Sequence, residues 1–370
     1  MSVETFLIFS LQMSKKSSTF APSFSKMAEK AMKNIVIIAG GDSSEYEVSL
    51  RSAAGLYSFM DKSRYKVFVA CLHGHKWQLA LDYAEGKDFK DCHWADIDKN
   101  DFSAAGQKFD FAYITIHGTP GENGVLQGYL DMIGLPYSCC GVLAAAMTFD
   151  KYTCNHYLHA FGVNIAGSLL LREGQSISDE EVIRKVGLPC FIKSNVGGSS
   201  FGCTKVKTKE QIQPAIQAAF AEGPEVIIEQ LMVGREITCG VYKTPARSVA
   251  FPITEVVTEN EFFDYNAKYK GQVNEITPAP IPAGVFKAVQ DLTLHIYDIL
   301  GCKGIIRTDY ILEPVKEADD LSRHIVDGYK IMLLEVNTTP GMTATSFIPQ
   351  QVRAAELDIK DVLTHIIEND

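Results

Sequence analysis

The sequence predicts an α/β fold of two or three domains, and three observations carry that prediction. Its 370 residues are 46% hydrophobic and 22% charged, enough apolar material for several cores. From Asn34 to about Tyr137, short apolar runs alternate with glycine-rich turns and helically spaced segments, the pattern of a mainly parallel sheet. Further on, apolar runs follow one another around polar or glycine-containing loops, as in LPCFIKSNVGGSSFGCTKV and EVIIEQLMVGREITCGVY.

Taken in order, NIVIIA from Asn34 is a strand, apolar and β-branched, and it ends at Gly40 and Gly41. GGDSSEYEVS makes the turn into a helix marked by Leu50, Ala54 and Tyr57. Asp42 or Ser43 is placed to cap that helix, with Glu45 in its first turn. YKVFVACL and FDFAYITIHG are the second and third strands, and a helical segment follows near Lys151. LPCFIKSNVGGSSFGCTKV reads as strand, Gly/Ser loop and strand, and EVIIEQLMVGREITCGVY as two strands around a Gly-Arg turn. IPAGVFKAVQDLTLHIYDILG is a helix, GIIRTDYIL and KIMLLEVN are strands, and a helix closes the chain. The polar segment from Pro314 to Tyr329 reads as a solvated hairpin connection, and the body holds no internal repeat or low-complexity tract.

Composition excludes several classes of function. The net charge of −10 and the lack of a dense Lys/Arg run argue against nucleic acid or an anionic membrane as the main partner, which favours a small-molecule ligand. Nine cysteines, Cys139 and Cys140 adjacent among them, show no zinc-like spacing and point to free thiols in a reducing cytosol. No stretch reaches the ~20 apolar residues of a membrane span. FLIFSL, Phe6 to Leu11, is short, follows Glu4 rather than a basic flank and leads into KKSSTFAPSFSK. It reads as a disordered tail, residues 1–31, with translation starting at Met27 or Met32 as the other reading.

Four stretches carry chemistry. Glu335 and Asn337 lie two apart on a strand and share a face, and Asp309 sits at a polar step of the strand before. Three such oxygen donors suit Mg²⁺, which also takes substrate phosphates, although strand-end polar residues facing solvent fit the same spacing. In the loop after Lys193, Gly197 and Gly198 free the backbone to point N–H groups at an anion, and Ser199 and Ser200 add hydroxyls. A flexible hairpin is the alternative there, since the Gly-Lys-Ser/Thr of a P-loop is absent. Lys151 is either a second phosphate ligand or a solvated helix lysine. Gly40 and Gly41 follow a strand without GxGxxG; Glu45 is then a simple cap-region acid, or an acid at a strand's carboxyl end that holds an ammonium group. His117 in HGTPGENG is a turn or core hydrogen-bonder, or a catalyst.

In this order, GGDSSEYEVSL, HGTPGENGVLQG, GLPYSCCGVLAAAMTFDK, LPCFIKSNVGGSSFG, YNAKY, GCKGIIRTDYIL and LLEVNTTPGMT resemble the blocks of the D-alanine–D-alanine ligases of the ATP-grasp superfamily, over nearly everything from Met32 onward. The resemblance implies an ATP-grasp fold of three α/β domains, α+β in the ATP-binding part: a preATP-grasp substrate domain over 32–139, a central domain over 140–232 and a C-terminal domain over 233–370 with a lid at 258–278. It implies ATP as co-substrate and two Mg²⁺ or Mn²⁺ ions held by Asp309, Glu335 and Asn337. Lys151, Lys193 and Lys268 match the phosphate lysines, and Glu229, Gln230 and Met232 the adenine segment, with Glu236 on the ribose. Arg307 and the Gly341 N–H match the oxyanion donors. Glu45, with Val48 and His117 near it, matches the first D-alanine site and is tied through Ser199 to the lid residue Tyr269. Ser346 and Phe347 match the site for the second D-alanine carboxylate.

The sequence departs from that family pattern at Ser194, where proline is usual and which should loosen the loop slightly, and at Gln230, where lysine is common. A D-alanine–D-lactate ligase is the first rival, and Tyr269 favours the dipeptide. A catalytically dead ATP-binding module would need a lost metal ligand or oxyanion arginine, and none is lost. Another carboxylate–amine ligase is limited by Glu45, Tyr269 and Ser346. The implied setting is a bacterial cytosol supplying peptidoglycan precursors; homodimers are common in that family, and no feature of this sequence shows one.

Overall fold

A computed structural model of the chain describes residues 32–198, 202–258, 273–315 and 325–369. The expected tail, most of the expected lid, Ser199, Lys268 and Tyr269 lie outside the described residues.

β1 (Lys33–Gly40) is an interior strand of a five-stranded sheet, paired in parallel with β2 (Tyr65–His73) and β5 (Phe111–Ile114). A strand flanked on both sides and covered on both faces reads as one apolar run, which is why NIVIIA does not alternate. β3 (Lys76–Ala80) and β4 (Trp94–Asp96) extend the sheet antiparallel beyond β2, two short strands that the mainly parallel reading does not anticipate. α1 (Tyr46–Phe59) packs on this sheet through Ala53 and Leu56, and its Ser49 hydroxyl donates to Thr115 O while accepting from Gly40 N. The helix starts differently from the expectation: Glu45 occupies the capping position and makes no side-chain cap. Ser43 Oγ accepts from Glu45 N at 3.2 Å, and Asp42 instead accepts from Gly74 N at 2.6 Å, because each is drawn to a neighbouring loop.

α2 (Val125–Ile133), α3 (Val142–Phe149) and α4 (Lys151–Ala160) lead to a four-stranded antiparallel sheet. Its order is β6 (Ser168–Arg172), β9 (Glu225–Gln230), β7 (Cys190–Ser194) and β8 (Thr204–Val206). α5 (Asp179–Lys185) and α6 (Ile212–Phe220) cover it, burying Val182, Ile212 and Ile216 against Ile192 and Ile228. The LMVG connection after β9 carries the chain out of this sheet, so the two strands of EVIIEQLMVGREITCGVY belong to different sheets.

The third sheet has seven strands, all antiparallel. β10 (Arg235–Thr244) pairs with β11 (Arg247–Ala250), β12 (Thr254–Thr258) and β14 (Ile305–Pro314); β12 pairs with β13 (Val273–Ile276), and β14 with β16 (Tyr329–Asn337). β15 (Ile325–Val326) turns back on β16, so part of the expected connection is itself a hairpin. α7 (Ala283–Ile299) lays Val285, Val289, Leu292 and Ile296 on one face of this sheet. α8 (Phe347–Ala354) and α9 (Ile359–Glu368) complete the described chain.

Alternation sorts this sheet into two faces. On β14, Ile306, Tyr310 and Leu312 enter the core while Arg307, Asp309 and Ile311 face a cleft; on β10, Ile237 and Cys239 are core while Glu236 and Thr238 face the cleft. On β16, Ile331 and Leu333 are core, and so is Val336, whereas Glu335 and Asn337 face the cleft. The parity changes because Asp309 pairs with Glu335 and Tyr310 with Leu333, leaving Leu334 as an extra residue. This β-bulge turns the acid out of the core.

Candidate active site

A cavity of about 850 Å³ is lined by strands of the two antiparallel sheets and by α1 and loops beside the five-stranded sheet, and every described candidate residue lies on it. The loop after β1 and the first turn of α1 bring Glu45 and Val48 to one end. His117 joins them: Ser43 Oγ donates to its carbonyl at 2.7 Å and Ser52 Oγ lies 3.4 Å from its Nε2. Gly198 approaches so closely that a Cβ there would stand 2.6 Å from Glu45 Oε2.

The Gly/Ser loop and Lys151 are brought together by Asn195, a fully buried residue that sequence reading passed over. Its side chain accepts from Tyr152 N at 2.9 Å and its carbonyl accepts from Lys151 N, which seats the start of α4 against the end of β7. Lys151 Nζ then donates to Gly197 O at 2.5 Å. Lys193 Nζ lies 2.6 Å from Glu229 Oε2 on the neighbouring strand. Burial pulls the Lys193 pKa down, but the Glu229 charge outweighs it and holds the ammonium above the ordinary lysine range. Ser194 ends β7 paired with Val226, with its hydroxyl buried. Gln230 accepts from Gly167 N through Oε1 at 3.2 Å, and Met232 and Glu236 follow along the same wall.

On the floor, four donors converge on Asp309. Arg307 Nε and Nη2 donate to its two oxygens at 2.9 and 2.8 Å, Thr238 Oγ1 donates to Oδ1 at 2.5 Å, and Asn337 Nδ2 donates to Oδ2 at 3.2 Å. Burial disfavours the guanidinium charge, but Asp309 more than restores it, so Arg307 stays protonated. Glu335 stands across from Asp309 in the strand register. Among the described residues no group of three or more His, Cys, Asp or Glu is placed to hold a metal ion; Asn337 lies beside the two acids on the same floor.

The TTPGM turn after β16 presses on α1: a Cβ at Gly55 would stand 2.2 Å from Met342 O, which accounts for a glycine inside a helix. At Gly341 a Cβ would stand 3.0 Å from Ser346 Oγ. That hydroxyl accepts from Thr343 N at 3.1 Å, and the Arg307 guanidinium sits 5.3 Å from the Phe347 ring centre. Glu122 ties this turn to the His117 loop, taking Thr339 Oγ1 and Gly118 N at 2.7 Å each. Burial raises its pKa, an effect that His117 opposes and Glu45 reinforces. Only its place in HGTPGENG, beside a histidine already singled out, signalled it in the sequence.

A seven-stranded and a four-stranded antiparallel sheet sharing a cleft lined by lysines and paired acids, next to a mixed five-stranded sheet with a parallel core, define an ATP-grasp enzyme. The comparisons narrow this. A family model for the D-ala D-ala ligase N-terminus matches residues 34–140, and one for the D-ala D-ala ligase C-terminus matches 157–368. This chain belongs to the D-alanine–D-alanine ligase family. It is 63% identical over 341 residues to the D-alanine–D-alanine ligase of Bacteroides fragilis, covering 91% of this chain and 99% of that one. It is 48% identical over 340 residues to that of Porphyromonas gingivalis, covering 90% and 97%. Among solved structures it resembles the VanG D-Ala:D-Ser ligase from Enterococcus faecalis (TM-score 0.76, 28% identity, 91% and 99% covered). It also resembles the D-alanine–D-alanine ligase from Bacillus anthracis complexed with ATP (TM-score 0.69, 26% identity, 91% and 97% covered).

Proposed function

We propose that this chain joins two D-alanines into D-alanyl-D-alanine at the expense of ATP, through a D-alanyl phosphate, and that the product serves peptidoglycan precursor synthesis. The observation that carries this is the gathering of Glu45, Lys151, Lys193, Arg307, Asp309, Glu335 and Ser346 on one cavity. A carboxylate oxygen of the first D-alanine attacks the γ-phosphorus as the bond to the ADP oxygen breaks. The amine of the second then attacks the acyl carbon, phosphate leaves, and the nitrogen gives up its surplus proton.

Lys151 and Lys193 take the nucleotide phosphates; Lys193 is already charged and oriented by Glu229, which reads the adenine with Gln230 and Met232, while Glu236 takes the ribose. Asp309, Glu335 and Asn337 suit two Mg²⁺ or Mn²⁺ ions, because carboxylate and amide oxygens on adjoining strands are hard donors that leave positions for phosphate oxygens. When bound, such ions neutralise the charge of the transferred phosphoryl group. Arg307 and the Gly341 N–H stabilise the tetrahedral oxyanion. Glu45 holds the first ammonium beside Val48 and His117, and Ser346 with Phe347 N–H takes the second carboxylate. Ser199, Lys268 and Tyr269 are assigned on their motifs alone, as the lid that keeps water from the acyl phosphate. The three-domain division at 139 and 232, a bacterial cytosol and a homodimer are carried over from the family in the same way. Among the described residues no helix is long and apolar enough to cross a membrane.

The test is release of ADP and phosphate by the purified protein with D-alanine or L-alanine, with products identified by mass. Release that depends on D-alanine and on Mg²⁺, with the dipeptide as product, is expected. No release with D-alanine, or a depsipeptide as main product when D-lactate is added at neutral pH, overturns the proposal.

A further inference from the structure

Glu275 lies on the cavity wall but has no part in the chemistry above. It stands on β13, and its partner comes from the helix that begins at the second-substrate site: Gln350 Nε2 donates to Glu275 Oε2 and also to Thr345 O at 2.7 Å. One amide nitrogen therefore ties this acid to the residue just before Ser346. Among the described residues Oε1 of Glu275 takes no hydrogen bond. Among the described residues the positive group that influences it is Arg307, whose guanidinium is already occupied by Asp309. A half-buried acid on the wall of a cleft is costly unless a cation meets it.

The second substrate is a zwitterion, and its two charges lie a few ångströms apart. With its carboxylate at Ser346 and Phe347, its ammonium needs an anion nearby, and Glu275 is fixed to the same short segment by Gln350. We infer that Glu275 receives the ammonium of the second D-alanine and so selects an amino acid over a hydroxy acid at that position. D-lactate has no cation to offset the carboxylate and would bring its own negative charge against Glu275. The inference rests on the ligase reading and on Ser346 holding the second carboxylate.

The experiment compares wild type with Glu275→Gln, which keeps the size of the side chain and an oxygen for Gln350, and with Gln350→Leu, which removes the tether but keeps the acid. The two KM values of the D-alanine saturation curve are resolved by phosphate release, and D-lactate is tested as the second substrate. Loss of a charge-assisted contact raises the second KM in Glu275→Gln about tenfold or more, with the first KM unchanged and use of D-lactate relative to D-alanine increased. Gln350→Leu keeps the wild-type preference between D-alanine and D-lactate. Equal changes in both KM values, an unchanged preference in Glu275→Gln, or the same shift of preference in Gln350→Leu, overturns the inference. A wild-type protein that releases no phosphate with D-alanine would instead sink the ligase reading.

Discussion

Replacing Asp309 by asparagine tests whether the floor of the cleft is an electrostatic unit. The Asp309 and Arg307 side chains are only 11% and 15% exposed, and the carboxylate accepts two bonds from the guanidinium, one from Thr238 and one from Asn337. Asp309→Asn removes the charge and sets an NH₂ group among four donors, leaving a buried guanidinium unmatched. Breaking a buried pair from one side costs about 3–5 kcal/mol. Arg307→Met leaves the carboxylate still served by Thr238 and Asn337, so its cost lies toward about 3 kcal/mol. In the double variant neither charge is stranded, and the total loss should fall short of the sum by about 3 kcal/mol. Urea unfolding at neutral pH with EDTA and no nucleotide measures this free of ligand effects. Single variants each within about 1 kcal/mol of wild type, additive to about 0.5 kcal/mol, would refute the argument.

Two further outcomes follow from the packing around the turn after β16. Gly55→Ala places a methyl group against the Met342 carbonyl, so the turn must move; turnover should fall several-fold and stability by about 1–3 kcal/mol, while ATP affinity, measured by calorimetry, stays near wild type. Glu122 has a carboxyl pKa raised by burial, so its neutral form favours the fold and ionisation opposes it as pH rises from the unfolded value through the folded one. The stability advantage of wild type over Glu122→Gln should therefore shrink as pH rises above the ordinary carboxyl value of about 4 in urea titrations, and an advantage that grows with pH would contradict that sign.

Much of the site was legible because its chemistry sits at strand ends, where an apolar run stops at a polar residue. Lys193 and Glu335 mark such stops near the ends of β7 and β16, Asp309 is a polar step in the middle of β14, and glycines mark the close approaches beside them. What escaped reading depends on contacts remote in sequence. Asn195 seats α4 and Glu122 joins two loops, yet locally both look like ordinary loop residues. Gln351 is fully buried, donating to Thr238 O at 3.0 Å and accepting from Gly240 N at 2.9 Å where β10 lies between its pairings with β12 and β11. No local pattern announces an amide that replaces a missing strand neighbour. The short strands β3 and β4 and the cap of α1 escaped for the same reason, since their partners decide them.

The bulge at Leu334 uncouples the spelling of β16 from where its side chains are delivered. A gene that lost one of the two adjacent leucine codons would encode a strand with no surplus residue, and plain alternation would still deliver the acid and the amide to the cleft. It is the full-length strand paired without its bulge that would address them to the wrong side of the sheet. Loss of one of these leucines should thus leave a folded protein with its acid on the cleft side, and conservative exchanges of either leucine should be tolerated.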